Sequence, residues 1–177
     1  MGWFTTQDLA EYLAAAGDFM RSRPAENTVP LTVTEVLRVR GAGAFGDAAP
    51  LFGWWRDGEG AVQSAFLVTP PYPLLLSSPP AQSLAPLAEL LARAETPLTG
   101  VNGEPAAAED FAAAWGEQTG AKAKTSMRER LFRLGELVPP TPAPRGHARA
   151  PQAADRDLLV AWFAAFSQEA GTGEKNA

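Results

Sequence analysis

The chain is 177 residues long, 46% apolar and 20% charged, with sixteen Gly, sixteen Pro, one His and no Cys. That length allows one domain with a substantial core and leaves two full domains cramped. Disulfides, cysteine nucleophiles and zinc–thiolate sites are excluded, as is a multi-histidine metal site, so carboxylate chemistry is what the composition leaves open. Met1 is followed by no basic stretch leading into an apolar run, and nowhere do about 18 consecutive apolar residues occur. The expected setting is therefore soluble and cytoplasmic, without export or a membrane span.

Residues 5–16 read as a helix: Thr5 can cap, Asp8 stands three positions on, and Leu9, Tyr12, Leu13 and Ala16 share one face, with Gly17 as the stop. Residues 27–39 fit periods of both two and 3.6, and Asn27 or Thr28 as cap with Pro30 in the first turn favours helix. Two apolar runs, 51–56 and 61–69, flank Asp57-Gly58-Glu59-Gly60 and predict an antiparallel hairpin. Pro70, Pro71 and Pro73 interrupt it, and residues 72–77 are expected as a further strand at or near a sheet edge. Residues 82–94 place Leu84, Leu87, Leu90 and Leu91 on one helical face. A short strand over 98–101 precedes Asn102-Gly103, and residues 105–119 form a helix with Pro105 in its first turn and Gly120 past its end. This alternation argues for an α/β (α+β) domain: a mixed sheet flanked by helices, its opening hairpin antiparallel and its later strands joined through helices.

The expected domain spans residues 1–137. Residues 138–154 hold Pro139, Pro140, Pro142 and Pro144 and form a semi-rigid connector. Over 155–177 a helix carries the stripe Leu158, Leu159, Trp162, Phe163 and Phe166 and gives way to a fraying tail from Gly171. A lone helix with such a stripe has to cover something, either the first domain, a second copy, or a domain not present.

The net charge of −5 is unevenly spread. Residues 1–120 hold fourteen acidic and six basic side chains, whereas residues 121–150 hold seven basic and two acidic. If residues 121–134 form a strand, Lys122, Lys124, Arg128 and Arg130 line one face. That face is either an anion-binding ridge or a solvated edge strand protected against sheet-to-sheet aggregation, and the second reading is preferred. Overall acidity argues against nucleic acid as a partner.

Few candidates for chemistry emerge. Gly41-Ala42-Gly43-Ala44-Phe45-Gly46 matches GxGxxG, but no convincing strand precedes it, Pro50 intervenes before any helix, and no acidic residue ends a second parallel strand, so it is read as a flexible loop. His147 sits beside the proline-rich connector, without the packed surroundings a general base needs. The carboxylate pairs Asp155/Asp157 and Glu109/Asp110 lie near expected helix starts, where negative charge meets the helix dipole, and Asp57/Glu59 lies in a turn. Trp54 and Trp55 are adjacent on a strand and point to opposite faces: one ring can line a ligand cleft, although a packed, helix-covered pair is the commoner arrangement. Asn102 ends a short strand where open α/β sheets often bind ligands, and Asn-Gly is equally an ordinary turn.

Several segments together resemble the amino-terminal half of GNAT-superfamily N-acetyltransferases built from two GNAT-like lobes. They are Trp3-Phe4, Arg23-Pro24-Ala25-Glu26-Asn27-Thr28, Phe52-Gly53-Trp54-Trp55-Arg56, Ala65-Phe66-Leu67-Val68-Thr69-Pro70-Pro71, Val101-Asn102-Gly103, Thr119-Gly120 and Arg130-Leu131-Phe132-Arg133-Leu134. The run from Pro144 to Ala150, followed by Asp155-Arg156-Asp157-Leu158-Leu159, Trp162 and Phe166, is similar to the connector and first helix of the second, catalytic lobe. The resemblance implies acetyl transfer from acetyl-CoA to a small-molecule amine by the full-length protein. It also implies a Gln/Arg-x-x-Gly-x-Gly/Ala loop whose amides bind pyrophosphate at a helix N-terminus. Arg40-Gly41-Ala42-Gly43-Ala44-Phe45 comes nearest and fails at its last position.

The chain is therefore expected to be a non-catalytic lobe, inactive alone, with no catalytic, cofactor or metal residues of its own. Trp54, Trp55 and Asn102 are its candidate substrate-cleft wall. Its expected partner is the missing catalytic lobe, or a second copy met through Trp162, Phe163 and Phe166. Two other readings stand beside this one: a free-standing interaction module that self-associates through the last helix, and an NAD-dependent enzyme resting on the glycine run alone.

Overall fold

The computed structural model describes residues 1–170, which divide into two units, residues 1–133 and the remainder from Leu134. In the first unit the elements run β1 (Gly2–Thr6), α1 (Leu9–Ser22), α2 (Thr28–Arg40), β2 (Leu51–Arg56), β3 (Val62–Val68), β4 (Leu74–Ser77), α3 (Leu84–Arg93), β5 (Val101–Asn102) and α4 (Pro105–Thr119). The strands form one sheet in the order β1-β2-β3-β4-β5. Neighbours from β1 to β4 are antiparallel, and β4 and β5, joined through α3, are parallel. The mixed sheet flanked by helices is thus the architecture that the alternation of elements predicted.

Side chains alternate across this sheet and build a core on each face. On one face Phe52, Trp54, Ala65 and Leu67 meet Tyr12, Ala16 and Met20 of α1 and Leu37 of α2. On the other, Phe66, Val68, Leu74 and Leu76 meet Leu84, Leu87, Ala88 and Leu91 of α3 and Phe111 of α4. The sheet is therefore the middle layer of three.

The first residues depart from expectation. Residues 2–6 are a strand, not a helix start, because Trp3 pairs with Trp55 and Phe4 with Trp54 across an antiparallel ladder. The helix begins at Leu9 behind Asp8, whose carboxylate accepts from the Ala10 amide at 2.7 Å. Gly17 does not stop it. Tyr12, Ala16 and Met20 continue one buried stripe, and that packing outweighs the roughly 1 kcal/mol a mid-helix glycine costs.

Elsewhere α2, the β2–β3 hairpin and α4 lie close to their predicted spans, with Gly120 in the left-handed conformation (φ 75°) after α4. The strand expected over 98–101 is shifted and reduced to Val101–Asn102. β4 lies one place from the edge, and the prolines precede it. The glycine run holds a short 3₁₀ turn, Ala42–Phe45, where a loop was expected. Residues 121–133 form neither helix nor strand.

The second unit holds a 3₁₀ turn (Ala153–Asp155) leading into α5 (Arg156–Glu169). Along α5 Leu158, Leu159, Val160, Trp162, Phe163 and Phe166 are all exposed. The expected fraying tail from Gly171 lies outside the described residues.

Tyr12 gives this fold a pH dependence. It is fully buried, and desolvation raises its pKa well above the ordinary phenol value because the phenolate would lose its water. Since the folded pKa lies above the unfolded one, this contribution is complete below about pH 10 and is lost as pH climbs toward the folded value. Its hydroxyl faces the Met20 sulfur at 3.4 Å, a weak contact. Tyr12→Phe is therefore expected to change stability little at neutral pH and to flatten the loss of stability above about pH 10, read by urea unfolding at several pH values.

Candidate functional site

In an open sheet with parallel strands, ligands collect beyond the carboxyl ends of those strands. Here those ends are Ser77 of β4 and Asn102 of β5, with α3 starting close after β4. Asn102 is exposed on the edge strand and pairs with Leu75. The chain leaves it tightly, since a side chain on Gly103 would come within 3.0 Å of the Leu76 carbonyl oxygen.

The connection from β4 to α3 decides what this end of the sheet can hold. Ser78 takes a left-handed φ of 35°, which turns the chain sharply into Pro79 and Pro80. A diphosphate cradle needs several unpaired N–H groups ahead of a helix, and neither proline has one. The Ser83 amide donates to the Pro80 carbonyl at 2.9 Å, the Ser83 hydroxyl donates to the same oxygen at 2.7 Å, and the Leu84 amide is bonded to Ala81. Trp3 Nε1 then donates to the Ser83 carbonyl at 2.8 Å, tying β1 to this corner. The Ser83 and Leu84 amides are thus spent inside the turn. Sequence reasoning noted Trp3 only within a resemblance and missed its link to Ser83, which joins residues eighty positions apart.

The two tryptophans lie on opposite faces of β2, as adjacent strand residues must, and both rings are covered: Trp54 is 5% exposed and Trp55 4%. Trp55 meets Trp3 edge-on at 5.7 Å, and Phe4 stacks on Trp54 at 5.9 Å. Trp54 Nε1 is buried without a hydrogen-bond partner. Strands β3 and β4 separate these rings from Asn102, so the three residues do not converge on one cleft.

One carboxylate of each candidate pair has structural partners. Asp57 Oδ1 accepts from the amides of Glu59 and Ala61, both at 2.9 Å, and Oδ2 accepts from Gln63 at 2.8 Å. The Gln63 bond leads these in holding the Asp57 carboxyl below its usual range. Asp155 is lowered likewise, first by Arg149 at 2.6 and 2.8 Å and then by the Gln152 amide. Glu109 pairs with Arg128 at 2.9 Å. His147 is exposed and lies in neither helix nor strand, and Lys122, Lys124, Arg128 and Arg130 are exposed along residues 121–133. Gly41–Gly46 links α2 to β2 and follows a helix, not the strand a dinucleotide fingerprint requires.

Among the described residues no group of three or more His, Asp or Glu side chains is placed to hold a metal ion, and no helix is long and apolar enough to cross a membrane. No family model, curated protein or solved structure matches the chain.

Proposed function

We propose that the chain is the amino-terminal, non-catalytic lobe of a two-lobed GNAT-type N-acetyltransferase and that it neither binds acetyl-CoA nor transfers acetyl groups by itself. The carrying observation is the β4–α3 turn, where a parallel strand leads into a helix but Pro79 and Pro80 have no N–H and the Ser83 and Leu84 amides are bonded within the turn, which interrupts the run of free amides a pyrophosphate cradle uses. The placement of the resembling segments lends support. Trp3-Phe4 lies in β1, Phe52–Arg56 in β2, Ala65–Val68 in β3 and Val101-Asn102 in β5, so four of the seven segments fall on the sheet, while Arg23–Thr28, Thr119-Gly120 and Arg130–Leu134 lie off it. The chemistry of acetyl transfer, a base that takes the ammonium proton and donors for the developing oxyanion, is then the task of the second lobe. The role of this chain is to buttress that lobe, with Asn102 on the side facing the acceptor amine.

Calorimetric titration with acetyl-CoA and a thiol-release assay with small primary amines test the reading. No binding and no turnover are expected from the purified chain, whereas the coding sequence beyond Ala177 is expected to continue into a Gln/Arg-x-x-Gly-x-Gly/Ala loop. Turnover that follows the protein through a second column would overturn the proposal.

The exposed stripe on α5, with Trp162 63%, Phe163 73% and Phe166 60% exposed, favours a second reading in which the chain is a free-standing module that self-associates through this helix. Light scattering of Trp162→Glu/Phe163→Glu beside the parent chain separates the two: only the second reading predicts a parent oligomer that this variant dissolves.

A further inference from the structure

We propose that residues 121–131 are a strand in search of an edge, and that they add to the sheet of a second copy of this chain beside β5. Of the odd positions, Ala121, Ala123, Met127 and Leu131 are apolar while Thr125 and Glu129 are polar, and the even positions Lys122, Lys124, Ser126, Arg128 and Arg130 are all polar or basic. This period of two marks a half-buried strand. The structure leaves the pattern unsatisfied. The whole segment is exposed and in no ladder, with Met127 56% and Leu131 64% exposed, and the backbone bond described for it runs from the Ala121 amide to Thr119 Oγ1. Meanwhile β5 ends the sheet, with β4 on one side and, among the described residues, no strand on the other. An open edge beside an unpaired strand pattern is the raw material of strand addition.

Charge selects the occupant. Residues 121–133 carry five basic side chains and one acidic, and residues 1–120 carry fourteen acidic and six basic. On α4, which packs beside β5, Glu109, Asp110 and Glu117 stand without a basic residue. The Arg128–Glu109 pair at 2.9 Å shows the contact such a basic segment makes with that helix. The donor strand and its acidic, open-edged acceptor are present in the same sequence, and a two-fold exchange satisfies both copies at once. The inference is independent of the acyltransferase reading.

Light scattering and amide hydrogen exchange of the full chain, from low to high micromolar concentration, test it. The expected result is a dimer that dissociates on dilution and with added salt, with amide protection over 121–131 rising as the dimer forms. Ser126→Pro/Met127→Pro removes one N–H from each side of the strand without changing charge, and should raise the dimer dissociation constant about tenfold or more while leaving the melting of the dilute monomer unchanged. A chain that stays monomeric throughout would overturn the proposal. So would protection over 121–131 that is independent of concentration, or a dimer untouched by the proline pair.

Discussion

Gly53→Val is expected to yield no folded protein, and Gly53→Ala to cost about 3 kcal/mol or more, a large share of the roughly 5–15 kcal/mol that holds a typical domain together. Gly53 sits in the middle of β2 opposite Phe66, whose ring lies over the space a side chain would fill. A Cβ there would stand 2.2 Å from Phe66 Cε1, 2.7 Å from its Cζ and 2.9 Å from the Phe4 carbonyl oxygen. The ring has little room to retreat, because Phe66 is 1% exposed and meets Trp3 edge-on at 5.3 Å. Relief has to come from the partner, so Phe66→Leu should recover part of the loss in the Gly53→Ala background although it is itself destabilising. Thermal and urea unfolding of the two single variants and the double variant measure this. Additive losses, or a Gly53→Ala protein as stable as the parent, would show that the ring does not depend on the glycine.

Asn27→Ala is the second large effect, at about 2–4 kcal/mol, through hydrogen bonds left unmade in a dry interior. Asn27 precedes α2 in the N-cap position, but its side chain makes no capping bond. It is 1% exposed and turned inward: Nδ2 donates to the Met20 carbonyl at 3.1 Å, and Oδ1 accepts from the Ser77 hydroxyl. Ser64, on the neighbouring strand, donates to the Ser77 carbonyl at 2.8 Å. This chain of bonds joins the end of α1, the start of α2 and strands β3 and β4. Removing Asn27 strands the Ser77 hydroxyl and takes from the Met20 carbonyl one of its two donors, the other being the Arg23 amide at 3.3 Å, whereas Ser77→Ala removes a donor that Asn27 alone receives. The double variant should therefore lose clearly less than the sum of the singles. A full sum, or an Asn27→Ala protein within about 0.5 kcal/mol of the parent, would mean that water replaces these partners.

Neither position announced itself by composition. Asn27 reads in sequence as an ordinary helix cap, and Gly53 as a weak residue in a strand. Their importance comes from what lies across from them, Ser77 fifty residues on and Phe66 on the facing strand. The candidate site follows the same rule. That Trp54 and Trp55 would face opposite ways was legible from strand geometry, but that both would be covered, three strands from Asn102, was not. The tie between β1 and the start of α3, where Trp3 Nε1 donates to the Ser83 carbonyl from eighty positions away, is likewise beyond the reach of any local pattern.

Local sequence by itself determined the elements whose signals lie within a turn or two of chain: the hairpin over Asp57–Gly60, α4 between Pro105 and Gly120, and the leucine face of α3. It also set the order of helices and strands from α1 onward, and with it the mixed character of the sheet. Tertiary structure alone decided the rest. Residues 2–6 became a strand because β2 offered a ladder, α1 ran through Gly17 because a buried stripe continued beyond it, and residues 121–131 stayed unpaired because no strand among the described residues took them up. Helix caps and tight turns are settled by bonds between near neighbours, whereas a strand is settled by a partner distant in sequence, and periodicity carries no record of who that partner is.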